Sequence, residues 1–302
     1  MLYQWVYKNF INYAGVKVLG KVFESLHKVL LQVKDPVINY PIKGKQCKML
    51  FSQMTPYYMK RCPNYDEPLR QICRYMQNKL NSSLHIIDVG ANIGDTVLNI
   101  DLKDAQYLLI EGVQKYAKLI KENLQAEYEY VLEQTFLSDE KYPGGGYGIE
   151  ITAGTASIYK ADENSGMHFL TLDEVSAAYH FEPDIIKVDT DGFDFKVLRG
   201  ARQTLKKYSP IIFFEWGIKD LIRNGERSTS IFEMLREYGY QSAILFDNYG
   251  NLLTKINTQD ETALKLLASY AETAEPVTIW YYDVLLIHKN SVIDSEEFVM
   301  SI

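Results

Sequence analysis

The residues best suited to chemistry sit at the ends of short apolar runs. Ile86-Ile87-Asp88-Val89-Gly90-Ala91-Asn92-Ile93-Gly94-Asp95-Thr96 reads as a buried strand, a tight turn and the start of a helix. Glycine at 90 and 94 permits positive φ and lets a ligand approach the backbone. The helix N-terminus that follows offers unpaired N–H groups to an anionic group. A dinucleotide fingerprint needs glycine at position 92. Asn92 stands there, so the G-x-G-x-x-G pattern fails and an oxidoreductase is disfavoured.

Glu111 ends the next apolar run, 23 residues after Asp88. A carboxylate at this place accepts both ribose hydroxyls of an adenosine. Ser138-Asp139 follows the third run, where a carboxylate can meet an adenine amino group. Each acid alone would be an ordinary solvated loop residue. Three in succession at strand C-terminal ends predict an adenosine site, because ligands of such sheets bind there. The expected set is Asp88, Gly90, Ala91, Asn92, Gly94, Asp95, Thr96, Glu111, Ser138 and Asp139.

The elements that must position these residues alternate in type. Strands are predicted over 84–89, 106–110, 130–137, 184–188, 210–216, 243–246 and 277–287. Helices are predicted over 68–80, 94–101, 115–126, 193–207 and 230–238. Such alternation implies a largely parallel sheet covered on both faces. Residues 143–148 read as a glycine-rich loop, and Gly154-Thr155-Ala156-Ser157 as either a lid or a surface turn.

The turn from Asp88 to Thr96 resembles the opening motif of the FkbM family of methyltransferases. Leu109-Ile110-Glu111-Gly112-Val113 lies where that family has a Glu-Pro pair, with Gly112 in place of the proline. Asp184-Ile185-Ile186-Lys187-Val188-Asp189-Thr190-Asp191-Gly192 resembles its second signature. Val197-Leu198-Arg199-Gly200-Ala201 and Pro210-Ile211-Ile212 continue the likeness through Glu215. Where the family carries Glu, this chain has Asp191 and Asp194, each one methylene shorter.

The likeness spans roughly residues 65–216 and leaves 1–50 outside. It implies a Rossmann-like class I methyltransferase fold over 65–302, preceded by a helical extension and connection over 1–64. It implies S-adenosylmethionine as cofactor, with Asp88 and the glycine turn around its methionine part. The implied reaction is O-methylation of a hydroxyl, with a sugar of a glycan or glycolipid precursor as first choice. A small secondary metabolite is the alternative acceptor. A cofactor-binding protein without catalysis is a third reading, which the acids at 189 and 191 disfavour.

A sugar hydroxyl is a poor nucleophile, so a base or a metal should assist it. Asp189 and Asp191 stand in i, i+2 relation and would share a side on an extended chain. Glu215 ends a neighbouring strand and can face them. Such carboxylates can hold Mg2+ through oxygen, or one can act as base while the other contacts cofactor or substrate. No histidine joins them at ligand spacing, so an obligatory metal is not favoured and no metal ligand is assigned.

Asp191 is the expected base and Asp189 its partner. The competing role for Asp191 is cap of a helix beginning near Phe193, with Asp194 in the first turn. An aspartate of ordinary pKa is a weak base unless burial raises it. Among the five histidines, His168 is the second candidate base.

The bulk properties set limits. The chain has 302 residues, 47% of them hydrophobic and 24% charged, an ordinary composition for a soluble globular protein. Its net charge of -7 argues against nucleic-acid binding, which needs a basic surface. The count of 23 Tyr suits sugar-like ligands as well as packing. Cys47, Cys62 and Cys73 form no metal spacing and suggest a reducing, cytoplasmic setting.

No apolar run reaches membrane-spanning length, and Lys8 and Lys17 interrupt any signal-peptide core. Residues 1–35 nonetheless carry five Lys against Glu24 and Asp35, among aromatic and aliphatic residues at helical spacing. A helix or helix pair is expected there, ended near Pro36. Three roles fit it: packing on the main domain, a homodimer interface, or an interfacial helix on the inner face of a membrane.

Overall fold

The computed structural model describes residues 1–141, 146–152, 154–161 and 167–302. Two helices, α1 (Leu2–Asn12) and α2 (Leu19–Leu31), open the chain. A hairpin of β1 (Val37–Ile42) and β2 (Lys45–Leu50) follows, then α3 (Thr55–Arg61) and α4 (Glu67–Leu80). The alternating part begins with β3 (His85–Val89), α5 (Asp95–Ile100), β4 (Gln106–Ile110), α6 (Gln114–Leu124) and β5 (Glu129–Glu133). An excursion comes next: β6 (Phe136–Leu137), the hairpin β7 (Gly146–Thr152) and β8 (Thr155–Ala161), β9 (Phe169–Leu170) and α7 (Leu172–Ala178).

The chain then returns through β10 (Ile185–Val188), α8 (Asp194–Arg199), α9 (Arg202–Tyr208), β11 (Ile211–Trp216), α10 (Ile218–Arg223) and α11 (Ser230–Glu237). It ends with β12 (Tyr240–Asp247), β13 (Leu252–Asn257), α12 (Glu261–Thr273), β14 (Tyr282–His288) and α13 (Ser295–Ser301).

The central sheet has eight strands in the order β13-β12-β14-β11-β10-β3-β4-β5. Strands β5, β4, β3, β10 and β11 are parallel, and β14 enters antiparallel between β11 and β12. The order reverses between β3 and β10, the place where parallel sheets open a crevice at their strand ends. Successive residues split between the faces. Ile86, Leu109, Ile185 and Phe213 join one core, and Ile87, Leu108, Ile186 and Phe214 the other. The fold is the expected Rossmann-like α/β architecture, with helices on both faces and a helical N-terminal extension.

That extension shares the first core. Val6, Tyr7, Phe10 and Ile11 are buried in the cluster that holds Ile72 and Ile86. The Tyr7 hydroxyl donates to the Gln53 carbonyl at 2.6 Å. Among the described residues no helix is long and apolar enough to cross a membrane.

Several boundaries differ from expectation, each for a local reason. The strand over 130–137 is two elements, because the chain leaves the sheet edge after Glu133 and β6 pairs with β9. The helix over 193–207 breaks at Gly200, where a side chain would collide with the Ser138 carbonyl. Of the glycine-rich loop over 143–148, residues 146–148 begin β7, while 143–145 lie outside the described residues.

Candidate functional site

At the reversal point, the ends of β3, β4 and β10 open into a crevice of about 980 Å3 including its mouth. The turn after β3 forms its floor. Gly90 has φ 80, and any side chain there would collide with the Asp189 carbonyl oxygen. Its N–H and that of Ala91 both donate to Ile110, at 3.0 and 3.1 Å. Gly94, with φ 81, turns the chain into α5.

Gly90→Ala should therefore cost stability, roughly 1–3 kcal/mol from the left-handed backbone alone, and should push β3 and β10 apart. Urea unfolding checks the first effect. An unchanged midpoint would mean that the turn relaxes freely.

Glu111 is 7% exposed and already accepts two backbone N–H groups, from Val113 at 2.7 Å and Asn92 at 2.9 Å. A carboxylate has about four acceptor positions, so each oxygen keeps one for a ligand. Burial raises its pKa to about 7, against the lowering effect of those N–H groups. Gly112 next to it leaves room for the Phe136 ring, which a Cβ would strike. The glycine in place of the family's proline thus admits an aromatic wall.

Gly90, Asn92, Asp95, Thr96 and Glu111 line the crevice, whereas Asp88, Ala91 and Gly94 are buried and do not line it. Asp88 is fully buried and paired across the strands with Lys187. The Lys187 ammonium is 3.0 Å from Asp88 and 3.3 Å from Asp189. Burial alone would lower the Lys187 pKa. Asp88, Asp189 and Asp95 outweigh it and hold the amine well above its ordinary value.

Ser138 and Asp139 depart from expectation. Ser138 is fully buried and donates to Asp139 at 3.1 Å. Asp139 faces Arg199, whose Nε donates to it at 2.9 Å, on a separate surface groove. Thr135, Phe136 and Leu137 occupy this end of the crevice instead.

The opposite end is acidic. Strand β10 stops at Val188 and Asp191 has φ 49, so the i, i+2 arrangement of an extended chain does not hold. Asp189 and Asp191 still both line the crevice. Asp191 is not a helix cap, since α8 begins at Asp194 with Phe193 before it and no side-chain cap. Asp194 instead folds back and accepts the N–H groups of Thr190 at 3.2 Å and Gly192 at 3.0 Å. Its carboxylate pins the turn and leaves that of Asp191 toward the crevice.

Burial, reinforced by Asp189 and Asp220, raises the Asp191 pKa to about 7. Burial likewise lifts Asp66 to about 7 and Asp95 to about 6. Glu215 and Asp283, paired across β11 and β14, rise well above the carboxylate range through burial and the surrounding acids. Among the described residues, no group of three or more His, Cys, Asp or Glu side chains is arranged to hold a metal ion. His168 is exposed, just before β9, and does not line the crevice.

Sequence reasoning missed Gln53, Thr55, Tyr65 and Asp66, which reach the crevice from the N-terminal connection, and the role of Lys187. Lys187 had one available signal, a charge inside an apolar strand. The hairpin β7–β8 closes one side through Thr155, Ala156 and Ile158. The Asn92 amide reaches it, donating to the Gly154 carbonyl at 3.1 Å. Among the described residues, four buried polar atoms of lining residues have no hydrogen-bond partner: Gln53 Oε1, Asn92 Oδ1, Tyr116 Oη and Thr190 Oγ1. Buried polar groups are rarely left so.

Among solved structures, the chain is similar to a methyltransferase FkbM from Methylobacillus flagellatus KT, with 11% identity and a TM-score of 0.34. That match covers 68% of this chain and 43% of the other, so the chain spans under half of that protein's length. A TehB-like SAM-dependent methyltransferase from Corynebacterium glutamicum matches with 11% identity, 74% and 88% coverage and a TM-score of 0.39. An O-methyltransferase from Bacillus cereus in complex with SAH matches with 13% identity, 73% and 80% coverage and a TM-score of 0.39.

No curated protein matches the chain. The family model of the methyltransferase FkbM domain matches residues 88–242, from the buried Asp88 beneath the turn into β12, just over half of the sequence. The chain belongs to the FkbM family of methyltransferases.

Proposed function

We propose that this protein transfers a methyl group from S-adenosylmethionine to a hydroxyl of a sugar, in a glycan or glycolipid precursor. The observation that carries the proposal is one crevice lined both by Glu111, whose two carboxylate oxygens each hold only one backbone N–H, and by Asp191. The donor, when bound, supplies an electrophilic methyl group on a sulfonium. The rest falls to the chain.

Glu111 accepts the two ribose hydroxyls on its remaining lone pairs. Val113, Tyr116 and Phe136 wall the adenine end, while the glycine turn lets the backbone approach the methionine part. Lys187 supplies the counter-charge for Asp88 and Asp189, which keeps the ends of β3 and β10 together. Asp191, with a pKa near the working pH, takes the proton of the acceptor hydroxyl. The hairpin shields the crevice from water.

The acceptor class rests on the same acidic end. Asp66, Asp189 and Asp191 line the crevice there with Tyr65, and burial, with Tyr65, Asp283, Glu215 and Asp66 around it, raises the Tyr281 pKa. Carboxylates that accept and phenols that donate suit a molecule bearing many hydroxyls.

Calorimetry should detect binding of S-adenosylhomocysteine, and Glu111→Ala should weaken it roughly 10²-fold by removing two charge-assisted hydrogen bonds. Tighter binding of NAD would refute the donor assignment. Labelled methyl from the donor should enter saccharide acceptors. Label in phenolic metabolites alone would turn the acceptor to a small secondary metabolite.

A further inference from the structure

Helix α2 is apolar on two sides. Its inner side buries Phe23 and His27. Its outer side exposes Leu19, Val22, Leu26, Val29 and, just beyond the helix, Val33. These five recur at helical spacing and form one stripe. Trp5 of α1, 55% exposed, extends the patch, with its ring 5.5 Å from that of Phe23 beneath. Scattered exposed apolar residues need no explanation, but a contiguous patch marks a docking surface.

The charges around the stripe say what it meets. Lys17, Lys21, Lys28 and Lys34 flank it, all exposed. The one acid on the helix, Glu24, is already paired with Lys28 at 2.7 Å. A second copy would bring lysines against lysines with no free acid to meet them. A surface of anionic headgroups satisfies both features, since apolar side chains enter the acyl boundary while lysines meet phosphates. We infer that the exposed face of α2, with Trp5, docks this protein on an anionic membrane surface. The helix lies in the plane of that surface and does not cross it.

Flotation of the full chain decides this, with equimolar phosphatidylcholine–phosphatidylglycerol vesicles compared with phosphatidylcholine alone. The protein should float with the anionic vesicles only, and high salt should release it. The K17E/K21E variant should lose at least roughly fivefold in partitioning per lysine replaced. The L26S/V29S variant should lose nearly all binding. All four positions are exposed, so S-adenosylhomocysteine binding and thermal unfolding serve as controls for an intact fold.

Failure to float with anionic vesicles overturns the inference, as does flotation that neither variant changes. A concentration-dependent dimer that L26S/V29S dissolves, with no lipid binding, would assign the face to a second copy instead. Should L26S/V29S not fold, the charge variant alone still decides.

Discussion

Asp191→Asn is expected to lower kcat by roughly 10²-fold or more, the usual scale of general-base help, with S-adenosylhomocysteine affinity nearly unchanged. Asparagine keeps the size of the side chain and removes its basic oxygen. The structure already argues against a capping role, because Asp194 holds the backbone of this turn. Asparagine would in any case replace aspartate as a cap without loss.

The pH profile adds a second readout. With a pKa of about 7, Asp191 is protonated and idle below that value and becomes a base above it. Turnover should therefore rise with pH through about 7 in the parent protein, and that limb should be absent from the residual activity of the variant. Near-parental turnover would end Asp191's candidacy. A parallel loss of donor affinity would move Asp191 from proton removal to donor binding.

Lys187→Met is expected to destabilise the fold by roughly 3–5 kcal/mol, the cost of leaving a buried charge without its partner. The Lys187 and Asp88 side chains are only 9% and 1% exposed, so water does little to compensate. Asp189 and Asp95 add to the cost, because the same ammonium stabilises their charges and offsets the repulsion of Asp95 by Asp88. Urea unfolding measures the loss. The double variant Asp88→Asn/Lys187→Met should recover much of it, since neither charge is then stranded. A single variant as stable as the parent would show that the pair is solvated or dispensable.

Both residues lay open in the sequence, yet only one had a visible role. Asp189-Thr190-Asp191-Gly192-Phe193-Asp194 offers three carboxylates within six residues. Local rules let Asp191 cap the next helix, with Asp194 in its first turn, as readily as serve a site. The left-handed backbone at Asp191 and the return of Asp194 to its own turn decided the matter. Lys187 stood in an apolar strand, and its partner became visible only with the register that sets it beside Asp88, 99 residues earlier.

What the sequence determined by itself was local or periodic. The strand–turn–helix over 86–96 followed from an apolar run and glycines at φ-demanding positions, and Glu111 from its place at the next strand end. What the tertiary structure decided concerns partners distant in the chain. Asp139 followed the third strand as an adenine contact should, but Arg199, 60 residues on, takes its carboxylate. Tyr65 and Asp66 reach the crevice from the connection between α3 and α4, and nothing in their neighbourhood in the sequence marks them. The apolar recurrence along α2 was legible, but its two faces were not. Periodicity tells which residues share a side of a helix, and only packing tells which side is covered.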